Sequence, residues 1–254
     1  MRVISVISGK GGVGKTTLVA NLGVVLASKF KKNVILIDCN ITTSHLGLYM
    51  GIHQHQTTLN DIIKKEADTQ DAIYTHASGA KIIPASLALK DLDGVDMLHL
   101  KAAIKQIQKD YPETDYILLD CAPGFGREAM AGLRSGEEVL YITTPYFPVV
   151  VDLVKCKHVA EELDLKNIGT VINMANKSKH ELTKTEIENI TELPTIGTIP
   201  MHKSVFKSLH KRIPITSLSP HSKVSRQFTK IASIITGEKI PKNDVFDVIF
   251  QILD

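Results

Sequence analysis

Apolar residues in this chain gather in short unbroken runs. Residues 2–7 open the series, and runs dominated by apolar side chains return at 33–37, 81–83, 116–119, 139–142, 168–172 and 195–199. Runs of this length predict strands buried on both faces, as in a parallel sheet. Between most of them the pattern becomes helical. Residues 15–30 predict a helix with Leu18, Leu22, Val25 and Leu26 on one side. Strand, glycine loop, helix and strand follow one another from residue 2 to residue 37, which is a βαβ unit. Its repetition predicts an α/β fold of three layers, with helices flanking a mostly parallel central sheet. The last clear turn is TGEKIPKND, residues 236–244. We therefore expect one domain over residues 1–236, then a linker and a C-terminal amphipathic helix over 237–254. In NDVFDVIFQILD, Phe246, Ile249, Phe250 and Leu253 fall at i, i+3, i+4 and i+7, with Asn243 placed as N-cap.

Composition narrows this picture. A length of 254 residues suits one large α/β domain. Tryptophan is absent and aromatic residues make up 5%, which argues against stacking on single-stranded nucleic acid. The three cysteines, Cys39, Cys121 and Cys156, are odd in number and lack metal-ligand spacing, as in a reducing compartment. The opening MRVISVISGK has no signal-peptide pattern, and no stretch approaches the ~20 apolar residues of a membrane span. A cytoplasmic location is expected.

Charge is unevenly placed. The net charge is +3, yet residues 193–237 contain no Asp or Glu. That stretch holds Lys203, Lys207, Lys211, Arg212, Lys223, Arg226 and Lys230, with three histidines. Lys203, Lys207 and Lys211 would line one helix face, and Lys223, Arg226 and Lys230 nearly repeat the spacing. Such a face suits phosphates of DNA, anionic lipid headgroups or plain solvent. The tail is different in sign, with Asp244, Asp247 and Asp254 among its apolar residues. Packing on protein and contact with a membrane both stay open for it.

The chemistry concentrates in SGKGGVGKTT, residues 8–17. Gly9, Gly14, Lys15 and Thr16 satisfy the spacing of a phosphate-binding P-loop, between a strand and a helix. Glycines let backbone N–H groups turn toward phosphate oxygens, and the helix N-terminus adds positive potential. Lys15 would reach the β- and γ-phosphates, and the Thr16 hydroxyl would bind Mg²⁺. The loop also carries a second lysine, Lys10. Elsewhere, His53 and His55 stand two apart with no nearby Cys or carboxylate, so a polar loop is the simpler reading than a metal site.

KGGVGKTT resembles the deviant Walker A motif of the MinD/ParA family of P-loop ATPases, and the likeness is closest to the MinD branch. VILIDCNITTSHLGLYMG is similar to that branch's switch I region, YILLDCAPGFGREAM to its Walker B strand and switch II, and TTPYFPVVVDLVK, VINMANK and IGTIPMHKSVFKS to later segments. The resemblance implies that Gly9, Lys10, Gly11, Gly12, Val13, Gly14, Lys15, Thr16 and Thr17 bind ATP. It implies that Asp38 and Asp120 join Thr16 around Mg²⁺, that Gly124 donates its N–H to a γ-phosphate, and that Asn173 and Pro200 lie at the adenine. It gives Lys10 a role across the interface of an ATP-bridged homodimer, and Asp152 the role of its partner in some states. An iron–sulfur reductase of the nitrogenase type is not matched, because its surrounding cysteine motifs are missing.

One position departs from the pattern. Relatives carry Asp-x-Asp after the second strand, whereas this chain has Asp38-Cys39-Asn40. Asn40 can orient a water but cannot take its proton as a carboxylate does. His45 also stands where the MinD branch commonly has Asn. With Lys10 and Lys15, Asn40 is the expected catalytic set. Two outcomes are compatible with it: slow hydrolysis that awaits a partner, and ATP binding with almost no hydrolysis. The expected output is positioning or regulation of an unidentified protein partner at the inner face of a membrane through residues 243–254, or at DNA through residues 203–230.

Overall fold

The computed structural model describes residues 1–52, 56–176 and 178–241. Among the described residues, eight strands form one sheet: β1 (Arg2–Ile7), β2 (Val34–Asp38), β3 (Tyr74–Thr75), β4 (Lys81–Ile83), β5 (Tyr116–Asp120), β6 (Glu138–Thr143), β7 (Lys166–Ala175) and β8 (Thr195–Pro200). Their order across the sheet is β3-β4-β2-β5-β1-β6-β7-β8. Every pairing is parallel except that of β3 with β4. The three-layer α/β expectation therefore holds. β3 has two residues and was not legible from apolar runs, while β7 extends past the predicted 168–172 at both ends.

Alternation along the buried strands builds the two faces. Ile4, Val6, Leu36, Leu118 and Leu140 join one apolar layer, and Val3, Ile35, Ile37, Ile117, Leu119 and Val139 join the other. The first layer is covered by α1 (Lys15–Ser28), the short α2 (Leu46–Tyr49), and helices further along the chain. The second is covered by α3 (Leu59–Lys64), α4 (Leu100–Asp110), α5 (Arg127–Ser135) and α6 (Phe147–Glu162). α7 (Lys184–Thr191) packs Ile187 beside Val150 of α6. The chain then forms α8 (Lys203–Lys211), α9 (Ile215–Leu218) and α10 (Lys223–Thr236).

The prediction that α1 buries one side is corrected. Residues 18 to 27 are all buried, because α10 and α9 close over the helix that already lies on the sheet. A helix walled in on all sides is apolar on all sides, so periodicity alone misplaces its exposed face. α8 is the opposite case, since Ser208 is its one buried residue and Lys203, Lys207 and Lys211 face solvent. α10 ends at Gly237 in left-handed geometry (φ 70), a conformation glycine adopts without a Cβ clash.

Loops after the parallel strands share one edge of the sheet. From β1 the chain first goes to β2 on one side and later to β6 on the other, so the loop after β1 sits at the switch point, the usual crevice for a ligand. The last described residues lie at the opposite edge. There Arg2, at the start of β1, donates to the carbonyl of Ile235, and Lys32 pairs with Glu238 at 2.5 Å. The basic α8 and the root of the tail are thus at opposite ends of the domain. Among the described residues no helix is long and apolar enough to cross a membrane. His53, His55 and residues 243–254 lie outside the described residues.

Candidate functional site

β1 delivers its chain into the crevice at Ser8, and α1 leaves it at Lys15. Gly12 (φ 80) and Gly14 (φ 98) take left-handed backbone geometry. A Cβ on Gly14 would stand 2.3 Å from the amide nitrogen of Asn173, and one on Gly9 2.5 Å from the Cβ of Asp152. The loop is therefore glycine-rich for two reasons, since it turns sharply and is gripped on both sides. Asn173, at the end of β7, donates its Nδ2 to the carbonyl of Val13 at 2.8 Å. Asn173, which the family likeness sets at the adenine, thereby also holds the loop. Pro200 ends β8 in register with Ala175.

The two lysines point different ways. Lys15 is buried and donates its ammonium to Ser8 Oγ at 3.0 Å, while Ser8 Oγ donates to the carbonyl of Lys10 at 2.7 Å. Burial lowers the Lys15 pKa, and Asp120 partly opposes that shift. Lys10 is half exposed, and its Nζ lies 3.6 Å from Asp152 Oδ2. Asp152 also accepts from Lys155 at 3.0 Å. Lys155 first, and Lys10 after it, hold the Asp152 carboxyl below the usual carboxylate range.

Asp38 and Asp120 end neighbouring strands in register. Asp38 is saturated. Its Oδ2 accepts from Ser44 Oγ at 2.8 Å, from the Leu46 N–H at 3.0 Å and from the His45 N–H at 3.1 Å, and its Oδ1 accepts from the Asn40 N–H at 3.2 Å. Asp120 is fully buried, and its Oδ1 has no hydrogen-bond partner. Desolvation, with the neighbouring Asp38, pushes its pKa up to about 7, against the pull of the Thr16 hydroxyl and Lys15. A buried acceptor left unpaired costs about 1–3 kcal/mol. An orphaned carboxylate oxygen beside a threonine hydroxyl is an oxygen donor set that suits Mg²⁺, and the lysine ammonium beside them suits the phosphate that carries the ion. Thr16 and Asp120 fit that ion; Asp38 spends its oxygens on its own loop.

The remaining candidates surround this centre. Asn40 is closed on Thr43, giving its Nδ2 to the Thr43 carbonyl at 3.1 Å and accepting from Thr43 Oγ1 at 3.1 Å. His45 is exposed, with its ring 6.3 Å from that of Tyr49. Gly124 (φ 75) donates its N–H to the Ser8 carbonyl at 3.0 Å, so that amide is engaged. Cys39 and Cys121 are buried behind the two aspartates, and burial pushes both thiols up, Cys121 to about 12. Thiols so placed are packing groups rather than nucleophiles. Among the described residues no cluster of three or more His, Cys, Asp or Glu is arranged to hold a metal. Sequence reasoning missed Ser8 as the seat of Lys15, and missed Glu128, whose carboxylate accepts from the Thr42 hydroxyl and from the Thr42 N–H at 3.3 Å. An acid in the first turn of a helix was visible as a capping charge; its partner 86 residues away was not.

The family model described as ParA, NUBPL iron-transfer P-loop NTPase, matches residues 1–236. The chain belongs to the ParA family of P-loop NTPases. Within this family it is similar to the septum site-determining protein MinD of Thermotoga maritima, with 32% identity over 99% of this chain and 94% of that protein. It superposes on the cell division ATPase MinD of Pyrococcus furiosus with a TM-score of 0.89 at 31% identity, covering 93% of this chain and 98% of that one. It superposes on MinD of Pyrococcus horikoshii, solved with Mg-ADP, with a TM-score of 0.88 at 29% identity, covering 92% and 95%. The ParA-family fold and the MinD-like character of the chain are thus established, together with a family of P-loop ATPases.

Proposed function

We propose that this protein binds Mg-ATP in the crevice after β1 and works as an ATP-dependent homodimerising switch with slow hydrolysis. The observation that carries this reading is the division of labour within one loop. Lys15 is turned inward onto the buried centre, where it would meet the β- and γ-phosphates. Lys10 is turned outward and half exposed, with Asp152 beside it. A lysine in that position is available to the phosphates of a second subunit. The Mg²⁺ would be held by Thr16 and Asp120, with Asp38 shaping the loop beside them. It would supply charge neutralisation on the transferring phosphoryl group.

Gly9 to Thr17 would cradle the phosphates, and Gly124 would exchange its bond to Ser8 for one to the γ-phosphate. Asn173 and Pro200 border the side where the base would lie. Residues 1–236 would form the ATPase domain, and residues 237–254 a linker and an appended tail. Its output would be the positioning or regulation of a protein partner, with the membrane (through residues 243–254) as the surface.

Two alternatives rest on specific features. Asn40 lacks a carboxylate and is closed on Thr43, which supports an ATP-holding adaptor with little turnover. The acid-free exposed face of α8 supports a ParA-like grip on DNA through residues 203–230. Steady-state ATP turnover with Mg²⁺, wild type beside Asn40→Asp, separates the first alternative. The switch predicts measurable wild-type turnover and a variant about tenfold faster or more, since a positioned general base contributes at least that much. A silent wild type with an active variant identifies the adaptor. Vesicle and DNA binding with and without residues 243–254 decides the surface: loss of vesicle binding on deletion supports the tail, and a salt-sensitive DNA shift lost in Lys203→Glu/Lys207→Glu supports the DNA reading.

A further inference from the structure

The loop after β2 and the helix after β5 meet through Thr42 and Glu128. Both flank the phosphate crevice, and neither residue belongs to the P-loop or the aspartate pair. The loop is knotted at its two ends on Asp38, through the Asn40 N–H on one side and Ser44, His45 and Leu46 on the other. Inside that knot Asn40 and Thr43 exchange two hydrogen bonds. The apex between them, Thr42, is exposed and reaches across to Glu128 with both its hydroxyl and its N–H. Glu128 stands in the first turn of α5, four residues after Gly124.

A solvent-facing contact of this kind adds little to stability. Its place gives it another meaning. Asn40 has a neutral amide and can serve hydrolysis by orientation alone, so its usefulness depends on how firmly its loop is held. Gly124 needs its own loop to shift before its N–H leaves Ser8. One carboxylate ties these two loops together.

We propose that Glu128 is a positioning residue: by holding Thr42 it couples the Asn40 loop to the Gly124 loop, so that the two respond to nucleotide as one unit. This rests on the ATPase reading for its consequence, but the coupling itself is a property of the chain without nucleotide.

Hydrogen exchange and turnover on the full chain test the two parts separately. In nucleotide-free protein, Glu128→Ala and Thr42→Val should each speed exchange at the amides of residues 40–46 several-fold, about the effect expected for releasing a local segment, with α10 unchanged. Glu128→Gln keeps an acceptor for Thr42 and should leave that exchange within about twofold of wild type. With Mg-ATP, kcat should fall about tenfold in the Ala and Val variants at constant KM, the double variant should fall no further, and Gln should retain most of the rate. Unchanged exchange in Glu128→Ala overturns the coupling. Faster exchange with unaltered kcat overturns its role in hydrolysis. A Gln variant as slow as Ala also overturns it, because Glu128 would then act by charge and not by holding Thr42. A wild type that binds no nucleotide sinks the ATPase reading, while the nucleotide-free exchange still decides the coupling.

Discussion

Asp38 and Asp120 occupy the same place on adjacent strands, in register, yet the chain treats them in opposite ways. Asp38 has four donors from its own loop and is a structural knot. Asp120 has an oxygen with no partner, although burial raises the pKa of both carboxyls. The course of the chain beyond each residue decides the difference. After Asp38, the segment from Asn40 to Leu46 folds back so that a hydroxyl and three N–H groups converge on the carboxylate. After Asp120, Ala122, Pro123 and Gly124 carry the chain away, and the neighbours left are Thr16 and Lys15. A strand-end aspartate keeps an unpaired oxygen only where its own loop does not fold back onto it.

The largest expected effect comes from removing the knot. Asp38→Ala strands the buried Leu46 N–H, takes one of the two acceptors of the buried Ser44 hydroxyl and frees the part-buried N–H groups of Asn40 and His45, and it should destabilise the fold by about 3 kcal/mol, read from urea unfolding at pH 7. A loss below about 1 kcal/mol would mean that water replaces the carboxylate, and the contrast between the two aspartates would collapse. Lys15→Ala should come next, weakening Mg-ATP binding by about 100-fold in calorimetry, as expected for a lost charge-assisted contact to phosphate, with little change in stability.

The third effect is a pH slope. The Asp120 carboxyl is harder to ionise in the fold than in the unfolded chain, so unfolding favours proton release between the ordinary value of 3.8 and about 7. Metal-free stability should therefore fall as pH rises through that window and level off above it. Asp120→Asn should reduce the slope, leaving the part due to Asp38, whose carboxyl burial also pushes up, and it should also abolish the Mg²⁺ dependence of ATP binding. An undiminished slope in the variant would assign the titration elsewhere. The smallest effect belongs to Ser44→Ala, which removes one donor from Asp38 and should cost about 1 kcal/mol in the same unfolding assay.

Local features of this molecule were legible in the sequence and distant ones were not. The apolar runs marked seven of the strands, six of them within a residue of their observed bounds, because a doubly covered strand needs a continuous apolar stretch. The P-loop was readable because its glycines, lysine and threonine act within ten residues. The Lys10–Asp152 pair was readable through the family likeness. By contrast, the grip of Asn173 on Val13 spans 160 residues, and the Thr42–Glu128 contact spans 86. Nor did any pattern separate Asp38 from Asp120, since both read as an aspartate closing an apolar strand before a cysteine. The two-residue β3 is too short to leave a periodic signal.

In the proposed switch, ATP would bring two copies together through Lys10. Light scattering of the full chain with Mg-ATP, wild type beside Lys10→Ala, tests it most directly. The wild-type mass should double on ATP addition, and the variant should still bind ATP through Lys15 yet stay at the monomer mass. A wild type that remains monomeric with ATP bound, or a variant that doubles equally, would contradict the claim.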